Sequence, residues 1–301
     1  EEDWILYGPY SDKSLIRNKL TFDLSNAIGF KASNTKFYNL FINGRSMGLY
    51  ILMEKIKRDS NRVDISKNNS DTVDAGYIIK IDKPTSEEGG CNTCYENSFS
   101  FRSNYDTNGY QSNDSEIYFI YDYPKPDNIT EDQKQFIYST INEFETILIS
   151  DSFDDPVDGY DKVIDVDTFI DFFIMNEIAK NPDGFRLSTY MNKDTGGKLK
   201  MGPIWDFNLA FGNVDYCDGM NPEGWIYNFN SICPSDIWQV PFWWRRLMES
   251  NSFRNKLKER WQSLRSNILS DSSITFKIES YLEYLNDNKV INQNFYRWSI
   301  L

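Results

Sequence analysis

Residues Met175 to Asn213 read MNEIAKNPDGFRLSTYMNKDTGGKLKMGPIWDFNLAFGN, and the order of elements in this stretch decides the fold. The apolar positions leading up to Asn181 (Phe169, Ile170, Phe172, Phe173, Ile174, Ile178) predict a buried helix. Pro182 stops it, because proline lacks an N–H and restricts the residue before it. Leu187–Met191 and Lys198–Met201 predict two short strands, joined by a turn over Asp194-Thr195-Gly196-Gly197. The order is helix, loop with Asp183, hairpin, then Asp206 at the mouth of the last strand.

Two carboxylates on either side of a short hairpin are a device of kinase-like folds. One sits on a catalytic loop facing an acceptor hydroxyl, and the other holds the metal that bridges nucleotide phosphates. The bland alternative makes Asp183 a turn residue and Asp206 a local cap. Asp-Phe alone is too common a pair to choose between them.

The length and composition of the motif choose. NPDG followed by GKLKMGPIWDFNLAFGN, with Asp183 and Asp206 separated by 23 positions, resembles the core of the CotH kinase family. These are atypical protein kinases first associated with spore coats and also found on secreted and surface proteins. The resemblance runs from Trp4 to Leu301 and implies an α+β, kinase-like two-lobed fold in one domain. A strand-rich small lobe is expected over residues 1–122 and a mainly helical large lobe over 123–301. It further implies that both ends are trimmed, and that a glycine-containing strand pair of the small lobe is missing before DWILYGPYSDKSLIRNKL. ATP and Mg²⁺ or Mn²⁺ are the implied cofactors, and the substrate is a Ser or Thr hydroxyl of a protein. Asp183 would orient or deprotonate the acceptor. Asp206 would hold the metal, with Asn208 reaching it if the strand turns both side chains to one face.

Composition narrows the chemistry independently. The 301 residues are 40% hydrophobic and 26% charged, as in an ordinary globular protein. No apolar run reaches the length of a membrane span. The chain starts at Glu1 with no targeting signal. A net charge of −13 argues against nucleic acid or an anionic membrane as partner and would suit a basic protein substrate. Histidine is absent, which removes Ser-His-Asp triads and His-ligated zinc. Of the four cysteines, Cys91 and Cys94 are closely spaced, whereas Cys217 and Cys233 are not. A four-thiolate zinc site is one reading. Disulfides within each pair are the preferred one, which fits an extracytoplasmic setting.

The remaining expectations follow chain order. A helix over 14–28 is capped by Ser11 or Asp12 and ended by Gly29. By resemblance it takes the place of a kinase regulatory helix, with Arg17 turned toward the nucleotide cleft. Phe37–Ile42 and Leu49–Met53 pair across Asn43-Gly44. MEKIKRDSNRVDI then resembles the hinge between lobes, so Glu54 and Lys55 are expected to face the nucleotide. Residues 76–82 and 117–121 are strands, and 84–115 a loop insertion stapled by Cys91 and Cys94. Thr130 and Gln133 form a capping box for the next helix. PFWWRRLMESNSFRNKLKERWQSLR is helical, with Trp243, Leu247, Phe253, Leu257, Trp261 and Leu264 on its apolar side. Two other classes stay open: a surface binding or adhesion module with a degenerate nucleotide site, and a glycosidase using its paired carboxylates.

Overall fold

Asn43 and Gly44 both adopt positive φ (50° and 76°), as a type I′ hairpin turn requires. In the computed structural model, which describes residues 3–85, 91 and 93–299, that turn anchors the first of two antiparallel sheets. The chain enters through β1 (Trp4–Tyr7) and α1 (Arg17–Ala27), then forms the hairpin β2 (Thr35–Ile42) and β3 (Arg45–Glu54). The sheet order is β1-β3-β2. Asp12 caps α1 from a distance, accepting the amides of Ser14 and Arg17 at 3.0 and 2.9 Å. Gly29 (φ 88°) ends it: its N–H reaches Asn26 O and that of Phe30 reaches Ser25 O, a Schellman pair.

The second sheet takes β4 (Tyr77–Ile81), β5 (Ser100–Arg102) and β6 (Tyr118–Tyr123). The helices α2 (Glu131–Ile149) and α3 (Val166–Ala179) follow, then β7 (Thr189–Lys193) and β8 (Lys200–Met201). Its order is β5-β6-β4-β7-β8. The boundary expected at residues 122/123 falls inside this sheet, because β4 is hydrogen-bonded to β6 on one side and β7 on the other. The capping box of α2 is present, and Gln133 Nε2 also binds Asn68 Oδ1, Asn69 O and Thr72 O, tying the 68–72 loop to the helix. α3 buries Phe169, Ile170, Phe172, Phe173, Ile174 and Met175 together, so it is apolar nearly all round, as a central helix must be.

The last five helices are α4 (Phe229–Ile232), α5 (Trp243–Leu247), α6 (Asn251–Arg265), α7 (Asp271–Asp287) and α8 (Val290–Arg297). α8 returns to the first sheet, where Asn294 Oδ1 accepts the Leu49 amide at 3.0 Å and Trp298 Nε1 donates to Met47 O at 2.7 Å.

Three expectations need correcting. The stretch over 84–115 is not only a loop: it holds β5, and Phe101 stacks on Phe119 of β6 at 4.9 Å. Residues 86–90 and 92 of that stretch lie outside the described residues. β7 begins at Thr189, not Leu187, since Phe185 and Ser188 adopt left-handed φ values that a strand cannot carry. The helix expected from Pro241 is broken into α5 and α6, because Ser250 turns out of the helix and caps α6 through the Phe253 amide.

Candidate active site

Asp183 sits just beyond the C-terminus of α3. Lys180 closes that helix at φ 42°, and the Asn181 amide returns to Asn176 O. Asn181 Oδ1 accepts the Asp183 amide at 3.3 Å, and the Leu187 amide closes back on Asp183 O. Gly184 is required by contact: a Cβ there would stand 2.2 Å from Oδ1 of the buried Asn176.

Asp206 sits on the strand-to-loop passage after Ile204, which bridges to Ala32. Its φ is 58°, uncommon for a residue with a side chain and a mark of sites whose surroundings impose the conformation. The neighbouring rings hold it there. Phe22 of α1 packs against both Trp205 (5.9 Å) and Phe207 (6.5 Å), and Asn18 Oδ1 accepts the Phe207 amide at 2.6 Å. The two acidic loops are also stitched together: the Phe211 amide donates to Ala179 O at 2.7 Å, and Asn181 Nδ2 to Asp206 O at 3.5 Å.

The two carboxylates are held differently. Oδ1 of Asp183 accepts from Arg186 Nη2 at 2.7 Å and from the Tyr216 hydroxyl at 3.0 Å. Arg186 is 2% exposed and forks onward to Asp236 Oδ1 and Trp238 O. Burial, then the Asp183 charge, raises the Tyr216 phenol, so it stays a donor to that carboxylate. The Asp206 carboxylate accepts no hydrogen bond among the described residues. Burial pushes its pKa up to about 6; the charges of Asp183 and Asp82 add to the rise and Lys83 opposes it. An acidic group so placed favours a counter-cation.

That cation need not be a proton. Among the described residues the one set of three ligand-type side chains within 4.8 Å of each other is Cys217, Cys233 and Asp236, and its two sulfurs are bonded to each other. Among the described residues there is therefore no cage of three such side chains at Asp206. One carboxylate with nearby oxygen donors, completed by substrate phosphates, is how Mg²⁺ is commonly bound. Asp206, a carboxylate whose charge is disfavoured by burial and by Asp183 and Asp82, with Lys83 opposing, fits that ion; Asn208 stands two positions on and is half-buried.

The other expected residues are placed less directly. Arg17 reaches this region as a brace: it donates to Ala210 O at 3.0 Å and Phe211 O at 3.4 Å and pairs with Asp12. Glu54 accepts from the Asn34 amide and Nδ2, both at 2.9 Å, and Lys55 beside it is exposed. Both line a small recess with Ala32, Arg62 and Pro203, and neither is among the charges acting on Asp206. Cys91 pairs with Cys94 and Cys217 with Cys233, at Cα separations of 5.2 and 5.4 Å. Sequence reasoning missed Asp82, Lys83, Arg186, Tyr216 and Asp236. Arg186 left a faint signal three positions after Asp183; the Asp82-Lys83 pair ends a strand, where charge is ordinary.

Two acidic loops are thus joined side by side, one carboxylate held by hydrogen bonds and the other accepting none among the described residues. The chain belongs to the CotH kinase protein family, whose match covers residues 1–301, the whole chain. No curated protein matches it. Membership of that family suggests an atypical kinase-like function, with ATP and a divalent metal as implied requirements.

Proposed function

We propose that the protein transfers the γ-phosphoryl group of ATP to a Ser or Thr hydroxyl of a protein. The observation that carries this reading is the unequal pair, Asp183 held by Arg186 and Tyr216, Asp206 with no partner among the described residues. The acceptor oxygen forms its bond to the γ-phosphorus as the bond to the β–γ bridging oxygen breaks. That bond's electron pair leaves on ADP, and the acceptor proton goes to Asp183. Arg186 and Tyr216 occupy Oδ1, which leaves Oδ2 for the proton. Mg²⁺, when bound at Asp206 and Asn208, supplies neutralisation of phosphate charge. Such chemistry needs positioning and charge balance more than covalent help, so the absence of histidine is no obstacle. The small sheet with α1 stands in this reading for the smaller lobe, its strand–helix–hairpin order echoing the part of a kinase that carries the regulatory helix. Two disulfides support an oxidising location, secreted, on the cell surface or in a spore coat. No helix among the described residues is long and apolar enough to cross a membrane.

The test is Mg²⁺-dependent ATP binding and phosphate incorporation, measured side by side. Asp206→Asn is expected to lose metal-dependent nucleotide binding together with activity. Asp183→Asn is expected to keep the nucleotide and lose about 10²–10⁴ in rate. Variants as active as the parent would end the kinase reading. A parent that binds no nucleotide would replace it with a binding module.

A further inference from the structure

One face of α6 is left open. Between it, α3 and the Gly224-Trp225 turn lies a groove of about 760 Å³, within the size range of built ligand sites. Its floor is apolar, with Phe173 and Ile178 of α3 facing Leu257 of α6. Two indoles remain in solvent around it: Trp225 is 54% exposed and Trp261 37%. Large aromatic rings of this kind are enriched among residues that dominate protein interfaces.

The rim is basic in a chain of net charge −13. Arg254 and Lys258 lie one helical turn apart along it. Arg254 donates to Met248 O and Asn251 Oδ1, neutral acceptors that leave its charge uncompensated. Lys258 is exposed and has no ion-pair partner among the described residues. Among the described residues, the one carboxylate lining the groove, Glu177, spends both oxygens on the amides of Ile226 and Tyr227 at 2.9 and 2.8 Å. Apolar floor, aromatic walls and uncompensated positive charge together fit an acidic segment with apolar anchors.

We propose that this groove docks an acidic, aromatic- or aliphatic-anchored segment of the protein substrate, away from the acceptor hydroxyl. This rests on the kinase reading. Trp225 belongs to the loop closed by Cys217–Cys233, and Tyr216, immediately before that loop, hydrogen-bonds Asp183. A segment held against this loop keeps the rest of its chain at a high effective concentration beside the acceptor site.

The probe is a fluorescein-labelled peptide of ten residues, with Phe and Leu anchors in a Glu-rich background. A control peptide carries Lys in place of every Glu. Fluorescence anisotropy with the oxidised protein is expected to show saturable binding of the acidic peptide and at least tenfold weaker binding of the basic one. Lys258→Glu, a change at an exposed position, is expected to weaken the acidic peptide at least tenfold, and Trp225→Ala likewise. Unchanged far-UV circular dichroism and melting temperature separate lost docking from lost fold. Asp206→Asn is expected to bind the peptide as the parent does, so failure of the kinase chemistry and failure of the docking are read separately. The proposal falls if the two peptides bind alike, if neither binds, or if Lys258→Glu changes nothing. It also falls if sedimentation shows a dimer that Lys258→Glu dissociates, since the occupant would then be a second copy.

Discussion

Arg186 is the residue on which the Asp183 geometry depends most, and replacing it separates positioning from folding. Its guanidinium donates to Pro182 O (2.8 Å), Asp236 Oδ1 (3.1 Å), Trp238 O (3.1 Å) and Asp183 Oδ1 (2.7 Å), and lies 4.0 Å from the centre of the Phe229 ring. Arg186→Met keeps most of the volume but removes every donor. Two carboxylates, each 20% exposed, then face each other without their shared cation. Removing one partner of a buried pair costs about 3–5 kcal/mol, a large part of the 5–15 kcal/mol typical of a folded domain. Arg186→Lys keeps the charge but cannot fork to both carboxylates, so a smaller loss of about 1–3 kcal/mol is expected. Urea unfolding of the oxidised protein, followed by tryptophan fluorescence, measures both. Adding Asp236→Asn to the Met variant should recover part of the loss, because it removes one of the two facing charges. In the Lys variant kcat should fall while ATP affinity holds, since Asp206 is untouched. A Met variant that unfolds within about 1 kcal/mol of the parent would refute the argument.

Replacing Cys217 and Cys233 by Ser opens a loop of 16-residue separation, worth about 3 kcal/mol by loop closure, against about 2 for Cys91–Cys94. Because Tyr216 and Asp236 flank the larger loop, phosphate incorporation should fall with the first pair more than with the second. Glu145 is fully buried, accepting from Ser103 Oγ and Trp243 Nε1, and burial pushes its pKa up to about 8, above the 4.5 of the exposed side chain. The folded state thus binds more protons between those values, so stability should fall as pH rises from about 4.5 to about 8. Glu145→Gln should flatten that slope in thermal melts, and an unchanged slope would show that Glu145 is already ionised. Gly184→Ala should cost about 1–3 kcal/mol in urea unfolding through contact with Asn176, and a neutral result would mean the loop has room to shift.

Elements whose geometry is local could be read from the chain. Asn43-Gly44 needs no partner to specify a hairpin turn, and Thr130 with Gln133 specify a helix start within four residues. β5 was hidden because only three residues form it, inside a polar stretch, and its stability comes from pairing with β6 and stacking of Phe101 on Phe119. The break at Ser250 was hidden for the opposite reason. The apolar spacing runs straight through it, and only the buried hydroxyl accepting the Phe253 amide marks a new helix. The assignment of strands to sheets was not local at all: β4 pairs with β7 across more than a hundred residues.

The candidate site divides in the same way. Asp183 and Asp206 were legible because they stand in a long, unusual motif, whereas their partners are scattered: Asp82 acts from the end of β4, Tyr216 and Asp236 from either side of a disulfide. Charge shows why whole-chain composition misleads here. A net charge of −13 acts on a distant partner and favours a basic protein on approach. At physiological salt that field is screened beyond about 8 Å, so contact is governed by local groups. Around Asp206 those groups are Asp183 and Asp82, opposed by Lys83, a net negative setting that suits a metal cation. At the α6 groove they are Arg254 and Lys258, which suit an acidic segment. Under the proposed function, a substrate that fills the α6 groove carries an acidic, apolar-anchored stretch some distance along its chain from the acceptor hydroxyl.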